Sequence, residues 1–262
     1  MEFELSATLS MVGLFGGMLL SAEIGRRIGS ARIARHPEGL SKGIDAAEAA
    51  VFGLLGLLIA FTFSGASSRF DDRRHLISAE VNAVDTAYMR IDLLPTDTQP
   101  QMRGLFRRYL ETRLVVYRDV DDKGATTARL DETAALQREI WRQALAACHR
   151  ADADPHAALL LLPALNALID ITATRTMATR AHPPLAIYLM LAGLCVLAAL
   201  LVGYDTSLNS DRSWLHTVVF TATLSLTVYV IVDIEFPRQG LIRVNAADQA
   251  FSDLRARMQS RP

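Results

Sequence analysis

Cysteine is almost missing from this chain: two among 262 residues, Cys148 and Cys195, far apart in sequence. Two thiols so placed make neither a disulfide framework nor a thiolate metal site, and both read as buried thiols. The six histidines never fall into a ligand spacing such as HxxxH, so no histidine metal site is expected. Glycines cluster only at Gly13, Gly16 and Gly17, inside an apolar run where glycine serves close helix approach rather than a phosphate loop. Neither sign of charge is in excess, with 27 Lys and Arg against 28 Asp and Glu, so nucleic acid is not an expected partner. Alternating β-branched runs, internal repeats and low-complexity tracts are missing as well. These absences leave an all-α chain without a catalytic, cofactor-binding or metal-binding constellation.

What is abundant is apolar length. Residues A, V, I, L, M, F, W, Y and C make up 51% of the chain. Four runs, 5–22, 46–66, 185–204 and 214–232, each approach the ~20 residues a helix needs to cross a bilayer. The chain is therefore expected to be an integral membrane protein of two plus two spans with a helical extramembrane domain between the pairs. The expected boundaries are 1–68 for the first pair, 69–182 for the domain, 183–236 for the second pair and 237–262 for a C-terminal tail. The first run is preceded by Glu2 and Glu4 and by no Lys or Arg, the opposite of a signal peptide, so it reads as a retained helix. Basic residues crowd both ends of the spans. Arg26, Arg27, Arg32, Arg35 and Lys42 stand on one side; Arg69, Arg73, Arg74, Arg175, Arg180, Arg238 and Arg243 stand on the other. The margin favours the domain side, which places the domain and both termini in the cytosol.

No proline or glycine lies between Gly65 and Pro95, so 46–94 reads as one helix leaving the membrane without stopping. Such a helix is on the order of 70 Å long, more than twice the hydrocarbon thickness. Within the span, Ala49, Gly53, Gly56, Ala60, Ser64 and Ser67 share one narrow stripe at 100° per residue. Two readings of it stand open: close helix packing, centred on Gly53, Gly56 and Ala60, or the lining of a conduction path. Beside it run Phe52, Ile59 and Phe63, continuing as Phe70, Ile77, Val84 and Ile91, seven apart from Phe63 onward, which makes a helix–helix seam. Inside the membrane Ile59 and Phe63, with Ser64 and Ser67 below, also suit a dewetting constriction.

Met102, Leu105, Phe106, Tyr109 and Leu110 recur at helical spacing after the break at Pro95, and Leu130 to Cys148 gives a second domain helix. The apolar stretch 156–176 is a third, its Asn166 and Asp170, with Arg175 nearby, suiting a buried polar network. The charges from Arg69 to Asp92 alternate in sign and read as solvated or ion-paired faces. The fourth span is polar for its depth: Thr221, Ser225, Tyr229 and Asp233 follow one another every four residues. Their hydroxyls are expected to bond their own helix. Asp233 and Glu235, at the end of that span, need water or a cation, and Arg238 is the near candidate, with a charged vestibule behind it.

Four blocks, 48–95, 161–176, 212–220 (RSWLHTVVF) and 230–244 (VIVDIEFPRQGLIRV), resemble the bacterial bestrophin-like domain family. The likeness covers nearly the whole chain; the further link, to bestrophins proper, is remote. That link implies a pentameric ion channel of four spans with a cytosolic domain, in a bacterial inner membrane, whose partners are the bilayer, copies of itself and small inorganic ions. It would place a hydrophobic neck on Ile59 and Phe63, with Phe61 as the alternative. Bestrophins enter that neck helix through a proline that this span lacks, and their acidic calcium-clasp cluster has no counterpart here. A non-conducting membrane scaffold or sensor fits the seven-residue seam equally well.

Overall fold

A computed structural model of the chain describes residues 2–35, 44–118, 123–207, 214–237 and 245–260. Among them every regular element is helical: α1 (Glu2–Arg35), α2 (Ile44–Met89), a 3-10 turn (Arg90–Leu93), α3 (Gln99–Arg118), α4 (Lys123–Cys148), α5 (Ala157–Arg180), α6 (Leu185–Thr206), α7 (Trp214–Glu235) and α8 (Asn245–Ser260). The long helix is real: α2 runs 46 residues without interruption. The expected course to residue 94 closes in the 3-10 turn, which stops at Leu93 because the residue before a proline is driven out of the helical region. Leu94, preceding Pro95, is extended at φ −82° and ψ 157°.

The chain divides into two compact units, 1–70 with 182–243 and 71–181 with 244–262, whose boundary falls within α2. The C-terminal segment expected as a tail carries α8, which belongs to the second unit.

The first unit holds α1, the first part of α2, α6 and α7, and its helices include segments long and apolar enough to cross a membrane. Its core brings together Met18 and Ala22 of α1, Leu55 and Ala66 of α2, Leu191, Cys195 and Ala198 of α6, and Ile231 of α7. α1 does not stop at residue 22 but continues to Arg35. That extension packs on α6 through glycines other than the clustered ones. A Cβ on Gly25 would fall inside the Leu200 carbonyl, and one on Gly203 inside the Ala22 carbonyl. Among the described residues no atom beyond the helix's own backbone lies within 4 Å of where a Cβ on Gly13, Gly16 or Gly17 would sit, so these three serve no close contact there. Ser21 fastens the α1–α6 contact by donating from Oγ to the Val196 carbonyl at 2.9 Å.

The core of the second unit joins the three domain helices read from the sequence, α3, α4 and α5, to α8, which was not. Met102, Phe106, Tyr109 and Leu110 of α3 are buried, as are Leu136, Ile140 and Ala144 of α4, Leu161, Leu165 and Leu168 of α5, and Phe251, Leu254 and Met258 of α8. The seven-residue seam enters this core: Ile77, Val84 and Ile91 are at most 2% exposed. Arg73 closes the C-terminus of α5, its Nε donating to the Ala178 carbonyl and its guanidinium to the Ala181 carbonyl at 2.9 Å. Those carbonyls have no helical partner of their own, and a cation there also opposes the negative end of the helix dipole. Cys195 is fully buried; Cys148 is half-buried, and burial pushes its thiol up from the ordinary value.

Candidate functional site

Within the first unit α2 has two sides. Leu55 and Ala66 are buried and Val51, Phe52, Leu58 and Ile59 pack partly against the same core, Phe52 meeting Phe220 of α7 edge to face at 5.9 Å. The other side is open. Gly53, Gly56, Ala60 and Ser64 are exposed, Ser67 is half-buried, and a Cβ at Gly53 or Gly56 would touch nothing within 4 Å. Phe63 borders this stripe at 44% exposure, and Leu54, Leu57 and Phe61 extend the bare surface, Phe61 at 68%. The two residues of the expected neck are thus parted: Phe63 stands on the open side and Ile59 leans inward.

The fourth span satisfies three of its hydroxyls by itself. Thr221 Oγ1 donates to the Thr217 carbonyl at 2.8 Å, and Thr223 and Thr227 do the same one turn back. Ser225 is buried, with Met18 Sδ 3.7 Å from its Oγ. Tyr229 is half-buried and Asp233 is 3% exposed.

Glu235, fully buried, is held by Arg69 of α2, whose guanidinium nitrogens reach its carboxylate at 2.8 and 2.9 Å. His182 Nδ1 stands 3.1 Å from the other oxygen, its ring stacked on Phe236 at 4.6 Å. Arg238, the partner expected from sequence proximity, lies outside the described residues. Sequence reading had Arg69 as one member of a run of solvated or ion-paired charges without naming its partner. The signal that would have found it is topological. Second and fourth spans run in the same direction, so the first cation beyond one and the last carboxylate of the other share an end.

In the second unit Glu80 anchors a buried charge cluster. Arg113 binds it with two nitrogens, Nε to Oε1 at 2.6 Å and Nη2 to Oε2 at 2.9 Å, and Arg175 Nη1 reaches Oε2 at 2.6 Å. The three side chains are 0–3% exposed, and the Arg175 guanidinium lies over the Phe251 ring at 5.2 Å. Tyr109 shares a hydrogen bond with Thr172 at 2.9 Å. Burial, and next the negative charge of Glu80, push its hydroxyl up to about 12, which keeps it protonated at neutral pH. The polar network expected around Asn166 and Asp170 is corrected here: both are exposed on the outer side of α5, and only Arg175 turns into the core, toward Glu80. Among the described residues no three His, Cys, Asp or Glu side chains gather to hold a metal ion.

The Bestrophin-like domain matches residues 29–249, most of the chain. The chain belongs to the Bestrophin-like family. Solved structures agree on the fold. A point variant of a bacterial bestrophin homologue from Klebsiella pneumoniae superposes with a TM-score of 0.70 at 16% identity, covering 96% of this chain and 99% of that one. The same kind of homologue from Klebsiella pneumoniae, solved by zinc phasing, gives 0.69 at 16% identity over 94% and 98%. A structure described as a membrane protein variant gives 0.72 at 15% identity over 96% and 99%. Comparison with curated proteins returns no match. Family membership, the shared fold and the four apolar helices make this Bestrophin-like chain a membrane protein.

Proposed function

We propose that this chain forms a homo-oligomeric ion channel in a bacterial inner membrane, passing small inorganic ions along an axis lined by the open side of α2. A pentamer follows by analogy with the family. The observation that carries the reading is the bare small-residue stripe: Gly53, Gly56, Ala60 and Ser64 are exposed on a helix whose opposite side is packed into its own chain. In water-filled surroundings small residues leave room for an ion, and in a dry contact they let backbones approach, so in a ring of copies the stripe serves both demands. Of the two neck residues Phe63 is the one placed to narrow the path, because Ile59 packs partly against Leu55 and Ala66's core. The vestibule expected from Thr221, Ser225, Tyr229, Asp233, Glu235 and Arg238 is not part of this reading, because Thr221, Ser225, Asp233 and Glu235 are buried within the chain and Arg238 lies outside the described residues.

Purified protein reconstituted in liposomes is expected to pass ions above the level of empty vesicles. Ser64→Trp is expected to cut that flux at least tenfold, and Phe63→Ala to raise it. Flux no higher than in empty vesicles, or flux indifferent to both changes, would remove the pore from this face.

The unbroken course of α2 favours a second reading, a non-conducting scaffold or sensor, since one helix contributes Leu55 and Ala66 to one core and Ile77 and Val84 to the other. A lipid-filled centre in the oligomer, or a monomer, would support it over conduction.

The domain and both termini are assigned to the cytosol. With Cys148 and Cys195 replaced by serine, a cysteine introduced at Ser41 should label from outside intact cells and one at Thr126 should not. Labelling at Thr126 alone would invert the assignment.

A further inference from the structure

The extension of α1 beyond its apolar run has no role in the channel reading, yet it carries an ordered arrangement of side chains. Gly25 and Gly29 face α6, against Leu200, Tyr204 and Ser207. About a quarter-turn round the helix, α1 presents Ile24 at 44% and Ile28 at 50% exposure. At 100° per residue Arg27 and Arg32 stand one on each side of the Ile24–Ile28 line. Arg32 is exposed and has no side-chain partner among the described residues. Arg27, 75% exposed, gives only its Nε to Glu23, at 2.9 Å, and its two terminal amino groups find no acceptor there. Arg26 is committed to Glu23 with both Nε and Nη2. Among the described residues, Glu23 already pairs with Arg26 and Arg27, and Asp205 at the end of α6 is exposed.

Depth is given by the neighbouring helices. Gly29 packs on Ser207, where α6 finishes, and α7 starts a few residues later with Trp214 at 63% and Leu215 at 59% exposure. A bare tryptophan at the end of a span belongs at the level of lipid headgroups. Arginines at that level extend toward phosphate while their stems cover apolar surface.

We propose that this face of α1 binds an anionic phospholipid, its acyl chains on Ile24 and Ile28 and its phosphate within reach of Arg27 and Arg32. The apolar line between the cations is what selects a lipid over a free anion. The site does not rest on conduction, and its test reads binding alone.

The full chain, purified in mild detergent, is offered equal amounts of phosphatidylglycerol and phosphatidylcholine and weighed by native mass spectrometry. Phosphatidylglycerol should be retained in excess. Arg27→Gln with Arg32→Gln should reduce that excess by about fivefold per guanidinium. Arg27→Lys with Arg32→Lys should keep it, and Ile24→Ser with Ile28→Ser should lower retention of both lipids. Glycerol phosphate, the headgroup chemistry without chains, should not displace the bound lipid. Equal retention of the two lipids by the unaltered chain, an excess untouched by the glutamine pair, or displacement by glycerol phosphate would each overturn the proposal.

Discussion

Gly203→Leu is expected to yield no monodisperse protein after extraction from membranes, and Gly203→Ala to lower the melting temperature sharply. The cause is backbone against backbone. A Cβ at Gly203 would sit 1.8 Å from the Ala22 carbonyl oxygen and 2.5 Å from its carbon, and neither atom belongs to a side chain that can turn away. Relief requires α1 and α6 to separate, which also stretches the Ser21 bond to Val196 and opens the packing of Met18, Ala22, Cys195 and Ala199. Overpacking of side chains alone costs ~1–3 kcal/mol, and a rigid backbone contact stands at or beyond the top of that range. The control is Gly17→Ala, where nothing lies within 4 Å. That change should leave the melting temperature unchanged or raise it slightly, since alanine favours a helix over glycine by ~1 kcal/mol. Thermal unfolding of the two variants side by side, followed by light scattering in size exclusion, decides it. Equal behaviour would refute the contact.

Glu80→Ala is the second large effect. It leaves Arg113 and Arg175 buried together without the carboxylate that both bind, and removing one member of a buried ion cluster typically costs ~3–5 kcal/mol. For a protein of this size that corresponds to a loss on the order of 10 °C in melting temperature. Glu80→Gln should fare little better, because the amide keeps the shape but not the charge. The triple change Glu80→Leu, Arg113→Met and Arg175→Met should recover most of the loss, since well-packed apolar groups replace buried ion pairs at little cost. A melting curve of Glu80→Gln matching that of the unaltered chain would show that the charge of Glu80 is not what holds the cluster.

These sites also mark where sequence reading stops. The spans, the uninterrupted α2 and the buried faces of α3 and α4 were legible because each is a local pattern of apolar residues with a helical period. The seam at Ile77, Val84 and Ile91 was legible for the same reason. Which glycine meets which helix was not. Gly13, Gly16 and Gly17 and the true contacts Gly25 and Gly203 are all glycines within helices, and only tertiary placement separates them. Glu80 finds its cations 33 and 95 residues away, so in the sequence it is one more member of a mixed-sign run. Asn166 and Asp170 misled in the other direction, because polar residues on an otherwise apolar helix signal a buried network only if that side of the helix is covered. Within the candidate site, the small-residue stripe was legible as a stripe. That it is bare, and that Ile59 leans inward while Phe63 does not, follows from how α2 packs on its own chain.

The central claim, that the open side of α2 lines a conduction path, is tested most directly at Ser64. In a chain with Cys148 and Cys195 replaced by serine, Ser64→Cys should conduct in liposomes, and a charged methanethiosulfonate reagent added to them should reduce the flux to a small fraction. Flux that persists unchanged after complete modification at that position would contradict the claim.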